Sequence, residues 1–211
     1  MSTASDSELL QLSWHATSDR KRWAVDLSSR QREAEIMDQP DLDRAAHEQA
    51  LRGLARTNCW GSTRQVLWKS IREIAQRRKL HALRILDVAS GAGDFAIWLN
   101  RRADRHGLKT LIDGCDKSPT AVEFAKCQAA DAGLSTVRFF CCDVLNEPLS
   151  GTYDIVTCSL FLHHLEERNA AAFLATLASA AKHAVFVDDL RRSMSGPTRN
   201  QGPGAVRRVR R

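Results

Sequence analysis

The amino-acid sequence predicts an α/β fold, a doubly wound, Rossmann-like parallel sheet that carries an N-terminal helical lid. From residue 83 onward, short apolar runs alternate with helix-like stretches, which is typical of repeated βα units. The first run, RILDVA, is almost continuously apolar, as are strands buried on both faces of a parallel sheet. It leads through a short glycine turn into a helix, so it is the first βα unit of the predicted sheet.

Five strands can be predicted in chain order, with helices after the first, second and fourth. The strands are RILDVA, TLIDGCD, VRFFCCDV, YDIVTCSL and AVFVDDL. The helices are DFAIWLNRRA, SPTAVEFAKCQAADAG and ERNAAAFLATLASAAK. The second helix has Pro119 near its first turn and Gly133 at its end, which are the favoured places for these two residues.

The first 82 residues show only helical periodicity. A short helix is expected to end before Pro40, a second to begin at an N-cap on Asp41, and a third at Ser62 or Thr63. We therefore expect three parts: an N-terminal helical segment or lid over residues 1–60, the sheet domain over 61–190, and a basic disordered tail over 191–211.

Composition excludes several classes of protein. The formal net charge of +6 comes from residues 191–211, which hold seven arginines and no acid and leave 24 basic and 25 acidic residues elsewhere. A neutral body does not predict a specific nucleic-acid partner. The six cysteines form no C-x-x-C pair, so neither a disulfide framework nor a metal site is expected. With no secretory signal and no apolar window of membrane-spanning length, we expect a cytoplasmic protein. The oligomeric state stays open.

The glycine turn raises a choice between two adenosine-bearing cofactors. Residues 91–96 satisfy the G-x-G-x-x-[GA] pattern of a dinucleotide-binding loop. Asp87 and Asp94 flank the turn, however, and would repel the pyrophosphate of NAD. The sulfonium and ammonium groups of S-adenosylmethionine are cationic and suit nearby carboxylates. The charges therefore favour S-adenosylmethionine, and NAD-dependent oxidoreduction is the weaker hypothesis.

Further acids end the other strands. Asp116 ends the second strand, where it could accept from both ribose hydroxyls, a role that NAD enzymes share. Asp143 ends the third strand, where it could accept from the adenine amino group. The fifth strand ends in Asp188 and Asp189, and for Asp189 we expect only the role of a cap for a following helix.

Taken in order, ILDVASGAGDFA, DGCDKS, RFFCCDVLNEP and YDIVTCSLFLHHLEE resemble the motifs of class I S-adenosylmethionine-dependent methyltransferases. They are most similar to the small-molecule branch that includes the ubiquinone and menaquinone C-methyltransferases. The resemblance covers roughly residues 60–190, and Ala89 stands where many of these enzymes have their first glycine. The resemblance implies cofactor contacts at Asp87, Ala89, Gly91, Gly93, Asp116, Lys117, Asp143, Val144 and Ser159, and the charge argument adds Asp94.

Two histidines after the fourth strand are the candidates for chemistry. His163 or His164 could act as a general base, or both could cap the next helix or face solvent. In the resembling family this segment lines the substrate pocket. We therefore expect methyl transfer to a small acceptor, aromatic or quinone-like by analogy, with a non-catalytic cofactor-binding or partner-binding remnant as the alternative.

The sequence departs from the family after the fifth strand. Class I sheets end in an antiparallel hairpin, and nothing in residues 191–211 is expected to form one. A partner chain or an N-terminal helix could cover the edge that this leaves. The hypothesis that we favour is a reading frame disrupted after about Arg192, since Arg/Gly/Pro-rich sequence is typical of a shifted frame in GC-rich DNA.

Overall fold

The structure is a computed structural model, and it describes residues 43–60, 63–189 and 207–209. Two helices come first, α1 (Arg44–Trp60) and α2 (Thr63–Arg78). The remaining elements are β1 (Ala82–Val88), α3 (Asp94–Asp104), β2 (Lys109–Asp116), α4 (Pro119–Asp131), β3 (Val137–Cys141), β4 (Tyr153–Ser159), a 3₁₀ turn (Leu162–His164), α5 (Glu167–Ala180), β5 (Ala181–Asp188) and β6 (Arg207–Val209).

The sheet order is β3-β2-β1-β4-β5-β6. Strands β1 to β5 are parallel to their neighbours, so the predicted doubly wound sheet is confirmed. The chain builds outward from β1 to β3 and then returns to place β4 on the other side of β1. This reversal leaves a crevice at the carboxyl ends of β1 and β4, where open α/β sheets bind their ligands.

Strands β1, β4 and β5 bury both of their faces. In β1, Leu83 and Ile85 pack with α2, α3 and α4, whereas Leu86 and Val88 pack on the opposite face with α5. Helix α5 contributes Phe173 to that second cluster. The two-sided burial explains the nearly continuous apolar run of β1, since successive residues meet opposite layers of helices.

The starts of two helices show how local sequence sets the boundaries. The Asp43 carboxylate accepts from the backbone N–H of Ala45 at 3.0 Å, so Asp43 caps α1. The expected cap at Asp41, like the short helix before Pro40, lies outside the described residues. At α4, Ser118 caps the helix through the N–H of Ala121 at 3.2 Å, and Pro119 occupies the first turn as predicted.

The sheet edge beyond β5 corrects one expectation. We expected no strand from residues 191–211, yet β6 pairs antiparallel with β5 and sets Arg207 opposite Val187 and Val209 opposite Val185. Ladder hydrogen bonds join backbone groups, so an arginine-rich segment without an apolar pattern can still add an edge strand, and charged residues are common there. Residues 190–206 and 210–211 lie outside the described part, where the disordered tail stays a prediction.

Within the described ranges, no helix combines the length and apolar character needed to cross a bilayer. The expected cytoplasmic setting stays a prediction.

Candidate functional site

The turn after β1 lies at the switch point between β1 and β4. Ala89, Gly91 and Gly93 all have a left-handed backbone, with φ values of 54°, 50° and 72°. A Cβ on Gly91 would have nothing within 4 Å, whereas one on Gly93 would lie 2.5 Å from the ring of Phe139. The two glycines therefore differ in role: Gly91 borders open space that a ligand could occupy, and Gly93 lets α3 begin close against β3.

Ala89 has the conformation that glycine adopts most readily. A left-handed residue with a Cβ is strained by about 1–2 kcal/mol, which gives a physical reason for the glycine that many resembling enzymes have there. The strain does not open the turn, because the N–H of Ser90 donates to the Cys115 carbonyl at 3.0 Å and that of Gly93 donates to the Ser90 carbonyl at 2.8 Å.

Asp87 is buried directly beneath this turn. Only 4% of the residue is exposed, and its Oδ1 accepts from the Thr157 hydroxyl at 2.8 Å. Burial raises the pKa of Asp87 to about 7, the Thr157 hydrogen bond opposes the rise, and the carboxylates of Asp94 and Asp116 add to it. A neighbouring cation would stabilise the ionised form of such a buried carboxyl group.

Asp94, at the start of α3, is paired with a cation that sequence reasoning missed. Arg64 of α2 donates to its carboxylate, and Arg64 is itself 92% buried. Burial raises the pKa of Asp94 although Arg64 acts against the rise. The Nε of Arg64 is buried and has no partner among the described residues. The turn thus carries both signs of charge. The one weak signal of this pairing in the sequence is the position of Arg64 in the first turn of a helix that precedes the sheet.

Asp116 ties the end of β2 to the turn. Its two carboxylate oxygens accept from the N–H groups of Gly91 and Ser118, both at 2.9 Å. Each oxygen still has capacity to accept from a ribose hydroxyl. The next residue, Lys117, is exposed, and its carbonyl accepts from the Cys141 thiol at 3.4 Å.

Asp143, at the end of β3, is engaged in its own loop. Its carboxylate accepts from the N–H of Leu145 at 3.1 Å and from the side-chain amide of Asn146 at 2.8 Å. The following Val144 is buried. An adenine amino group would have to share this carboxylate with the loop, so the predicted contact stays a prediction for both residues.

The fourth and fifth strands end beside each other. Ser159, the last residue of β4, is half-buried and lies opposite Asp188. One Asp188 oxygen is buried without a partner among the described residues. Burial raises the pKa of Asp188, a hydrogen bond with Thr63 opposes the rise, and the charge of Asp189 adds to it.

The histidines lie shortly after Ser159, and His163 contacts Asp189, whose expected role as the cap of a following helix concerns residues outside the described part. His163 Nδ1 lies 2.7 Å from Asp189 Oδ1, and the N–H of His163 donates to Asp189 Oδ2 at 3.0 Å. The Asp189 carboxylate therefore contacts His163 through both of its oxygens. The rings of His163 and His164 are 4.1 Å apart, and His164 also neighbours Phe161 at 6.2 Å.

Helix α1 lies against the same turn from the N-terminal side. Leu51 packs in one cluster with Ala92 of the turn and with Ala121 and Phe124 of α4. The guanidinium of Arg52 stands 5.3 Å from the centre of the Phe124 ring. The described part of the expected lid segment thus packs in one cluster with a residue of the turn, whereas a lid over the substrate stays a prediction.

Comparison with known proteins gives one family and several related folds. Residues 85–184 match the model of a methyltransferase domain. A demethylmenaquinone methyltransferase of Deinococcus radiodurans is 40% identical over 77 residues, which are 36% of this chain and 30% of the relative. The match thus spans less than a third of that relative's length.

Two solved structures share the fold. The magnesium protoporphyrin IX methyltransferase of Synechocystis PCC 6803, solved with bound SAH, aligns with a TM-score of 0.52 and 22% identity over 67% of this chain and 66% of that one. A candidate O-methyltransferase of Nostoc punctiforme PCC 73102 aligns with a TM-score of 0.53 and 22% identity over 65% and 40%. Together with the sheet order, these two likenesses show that the chain has the fold of these methyltransferases, and residues 85–184 are similar to a methyltransferase domain.

Proposed function

We propose that this chain binds S-adenosylmethionine at the turn after β1 and transfers the methyl group to a small acceptor, aromatic or quinone-like in character. The arrangement that carries the proposal is the mixed charge around the open space at Gly91. Asp87 lies below the turn, Asp94 and Arg64 lie beside it, and Asp116 reaches it from β2.

The residues present fit this cofactor. Asp87 holds a pKa near 7, and a neighbouring ammonium would stabilise its ionised form. Arg64 keeps a buried Nε–H that lacks a partner among the described residues, and a carboxylate of the ligand could accept from it. A pyrophosphate would place further negative charge among three carboxylates, which is the reason for rejecting NAD. When bound, the cofactor supplies an electrophilic methyl group on a sulfonium.

The chain's own residues would bind, orient and exclude water. Asp116 would hold the ribose hydroxyls, Asp143 and Val144 would border the adenine, and Lys117 would lie at the rim. Ser159, at the end of β4, would be a further cofactor contact, and His163 and His164, which follow it, would border the acceptor. A lid formed by the N-terminal helical segment stays part of the proposal, supported by Leu51 of α1, which packs in one cluster with Ala92 of the turn.

The quinone-like acceptor is the finer part of the proposal. Support comes from the relative of Deinococcus radiodurans, whose name gives demethylmenaquinone as its substrate. That match covers a minor part of each protein, so it supports an aromatic acceptor class more than any single compound.

Calorimetry with S-adenosylhomocysteine tests the binding step, and the folded chain should bind it in one site. Failure of the folded protein to bind would refute the proposal. If it binds, transfer of a radiolabelled methyl group to a panel of phenols and hydroquinones separates an enzyme from the alternative of a non-catalytic remnant, because the remnant binds without turnover.

A further inference from the structure

Strand β3 is an outer strand of the described sheet, since only β2 pairs with it. The carbonyl of Thr136 accepts from the N–H of Ile112 at 2.9 Å, and the N–H of Cys142 donates to the Asp116 carbonyl at 3.0 Å. Backbone groups alternate in direction along a strand, so the even-numbered residues of this segment face β2. The odd-numbered residues direct their N–H and C=O groups to the open edge, and these are Val137, Phe139 and Cys141.

The two outer strands of the described sheet differ in how they are protected against pairing with another chain. Strand β6 has three residues, two of which are Arg207 and Arg208, and short, charged strands are a common protection of sheet edges. Strand β3 has five residues and no proline, and its charged residue, Arg138, is held in an ion pair with Asp113. The β3 edge therefore suits a further strand better than the β6 edge does.

An open groove of about 610 Å³ lies beside the β3 edge. Ala129 and Ala130 of α4, with Gly133 just after that helix, line one side. Val137 and Phe139 line the other side, and both are buried in the core, at 5% and 6% exposed. A strand paired with β3 would direct every second side chain to this face of the sheet. The groove thus offers space for the apolar side chains of an added strand.

The opposite face of the same edge is cationic. Asp113 of β2 contacts two guanidinium groups, Arg84 through one carboxylate oxygen and Arg138 through the other, both at 3.1 Å. Two cations on one carboxylate leave one positive charge uncompensated within this cluster, and the Arg138 side chain is 65% exposed. By contrast, Lys126 at the groove is paired with Glu123 at 2.9 Å. An acidic side chain on an added strand is therefore favoured opposite Arg138 and not in the groove.

We propose that the β3 edge and the groove beside it bind an extended peptide, which adds a strand to the sheet. Its apolar side chains lie in the groove, and an acidic side chain between them lies opposite Arg138. Main-chain hydrogen bonds to β3 supply affinity, and the alternating side chains supply selectivity. A second copy of β3 fits less well, because its own Val137 and Phe139 are buried and would leave the groove empty.

The peptide site is separate from the proposed cofactor site. Residues 133–135 line the groove and precede β3, so the groove lies toward the amino ends of the strands. The turn after β1 lies at their carboxyl ends. The peptide inference therefore does not rest on the methyl-transfer proposal, and the failure of either leaves the other standing.

Hydrogen exchange of the full chain, followed by NMR, tests the pairing. In the free chain the N–H groups of Phe139 and Cys141 should exchange faster than those of Arg138 and Phe140. The probe is an acetylated and amidated heptapeptide in which valine and glutamate alternate. At saturation it should slow exchange at Phe139 and Cys141 only, because the odd-numbered N–H groups gain an acceptor. Unchanged exchange would overturn the proposal. Protection of these two N–H groups that rises with chain concentration, without peptide, would assign the edge to a second copy and overturn the peptide.

Fluorescence anisotropy with the labelled peptide tests the contacts. Replacing its glutamates by lysine should weaken binding by about tenfold or more, since lysine repels Arg138. Of two further peptides, N-methylated at the valines or at the glutamates, one should bind about tenfold or more weakly, because alternate N–H groups face β3. Equal binding by both would overturn strand addition.

Two matched variants of the chain test the groove. Ala130→Phe places a ring in the groove from an exposed position on α4 and should weaken binding of the valine–glutamate peptide by about tenfold. Ala172→Phe, at an exposed position on α5, is the control and should bind the peptide like the wild type. Unchanged affinity in Ala130→Phe would remove the groove from the site, and a folded wild type that binds none of the peptides would refute the proposal.

Discussion

Asp87 allows a quantitative prediction, because its ionisation opposes folding. Its pKa rises from 3.8 in the unfolded chain to about 7 in the folded protein, so the folded state holds a proton over a range in which the unfolded state has lost it. Stability then falls as pH rises between these two values, by about 1.4 kcal/mol per pH unit. Above pH 7 the fall stops, since both states are ionised. At neutral to basic pH the buried charge therefore costs roughly 4 kcal/mol, as an order of magnitude.

Asp87→Asn removes this charge and keeps the shape. The amide oxygen can still accept from Thr157, but the new amide N–H groups are buried and cost about 1–3 kcal/mol if they find no partner. We expect a net gain of about 1–3 kcal/mol in the free energy of unfolding at about pH 8, less at lower pH. The change in that gain between pH 5 and 7, about 2 kcal/mol, does not depend on the amide cost and is the sharper quantity.

Urea unfolding of the wild type and of Asp87→Asn at a series of pH values measures this change in stability. Asp131→Asn, which alters an exposed carboxyl on α4, is the control and should show no comparable slope relative to the wild type. Parallel pH profiles for the wild type and Asp87→Asn would refute the reasoning, since Asp87 would then ionise alike in both states. The stabilised variant should also bind S-adenosylhomocysteine more weakly, because the carboxylate that destabilises the fold is the one proposed to face the ammonium.

Three further changes test the turn. Asp116→Ala should weaken binding of S-adenosylhomocysteine by about 1–3 kcal/mol through lost hydroxyl contacts, and unchanged affinity in calorimetry would remove Asp116 from the site. Ala89→Gly should raise the free energy of unfolding by 0 to about 1 kcal/mol, since relief of left-handed strain outweighs the added freedom of the unfolded chain. A clear loss of stability in urea unfolding would contradict a φ of 54° at Ala89. Gly93→Ala should lower the free energy of unfolding by more than about 2 kcal/mol in the same measurement. The new Cβ would lie 2.5 Å from the Phe139 ring, and the residue has a left-handed backbone. A mild effect would mean that the Phe139 ring moves freely.

The sheet could be predicted from sequence because its central strands β1, β4 and β5 are buried on both faces. That burial demands a long apolar run, and such a run is visible in residues 83–88 without any knowledge of the neighbouring strands. The acids at the strand ends were equally visible, since parallel strands bring their carboxyl ends to one edge. The edge strand β6 could not be predicted, because its pairing with β5 uses backbone groups that every residue possesses.

The charge partners could not be predicted for a different reason. Arg64 and Asp94 are 30 residues apart, and His163 and Asp189 are 26 apart, so neither pair has a local signature. Asp189 was expected only to cap a helix because the sequence does not distinguish an acid that accepts from a backbone N–H from an acid that contacts an imidazole. Only the placement of β4 beside β5 brings the histidine within reach.

The two pairs explain why the acids of this site must be considered singly. Arg64 compensates Asp94, and His163 engages Asp189, whereas Asp87 has only a hydroxyl and Asp116 only backbone N–H groups in the described hydrogen bonds. A cationic ligand therefore gains most from Asp87 and Asp116, which lie on the β1 and β2 side of the switch point. The pair of His163 and Asp189 lies on the β4 and β5 side. In the proposed function, this division of charge across the switch point would give the cofactor and the acceptor separate places on the two sides of the boundary between β1 and β4.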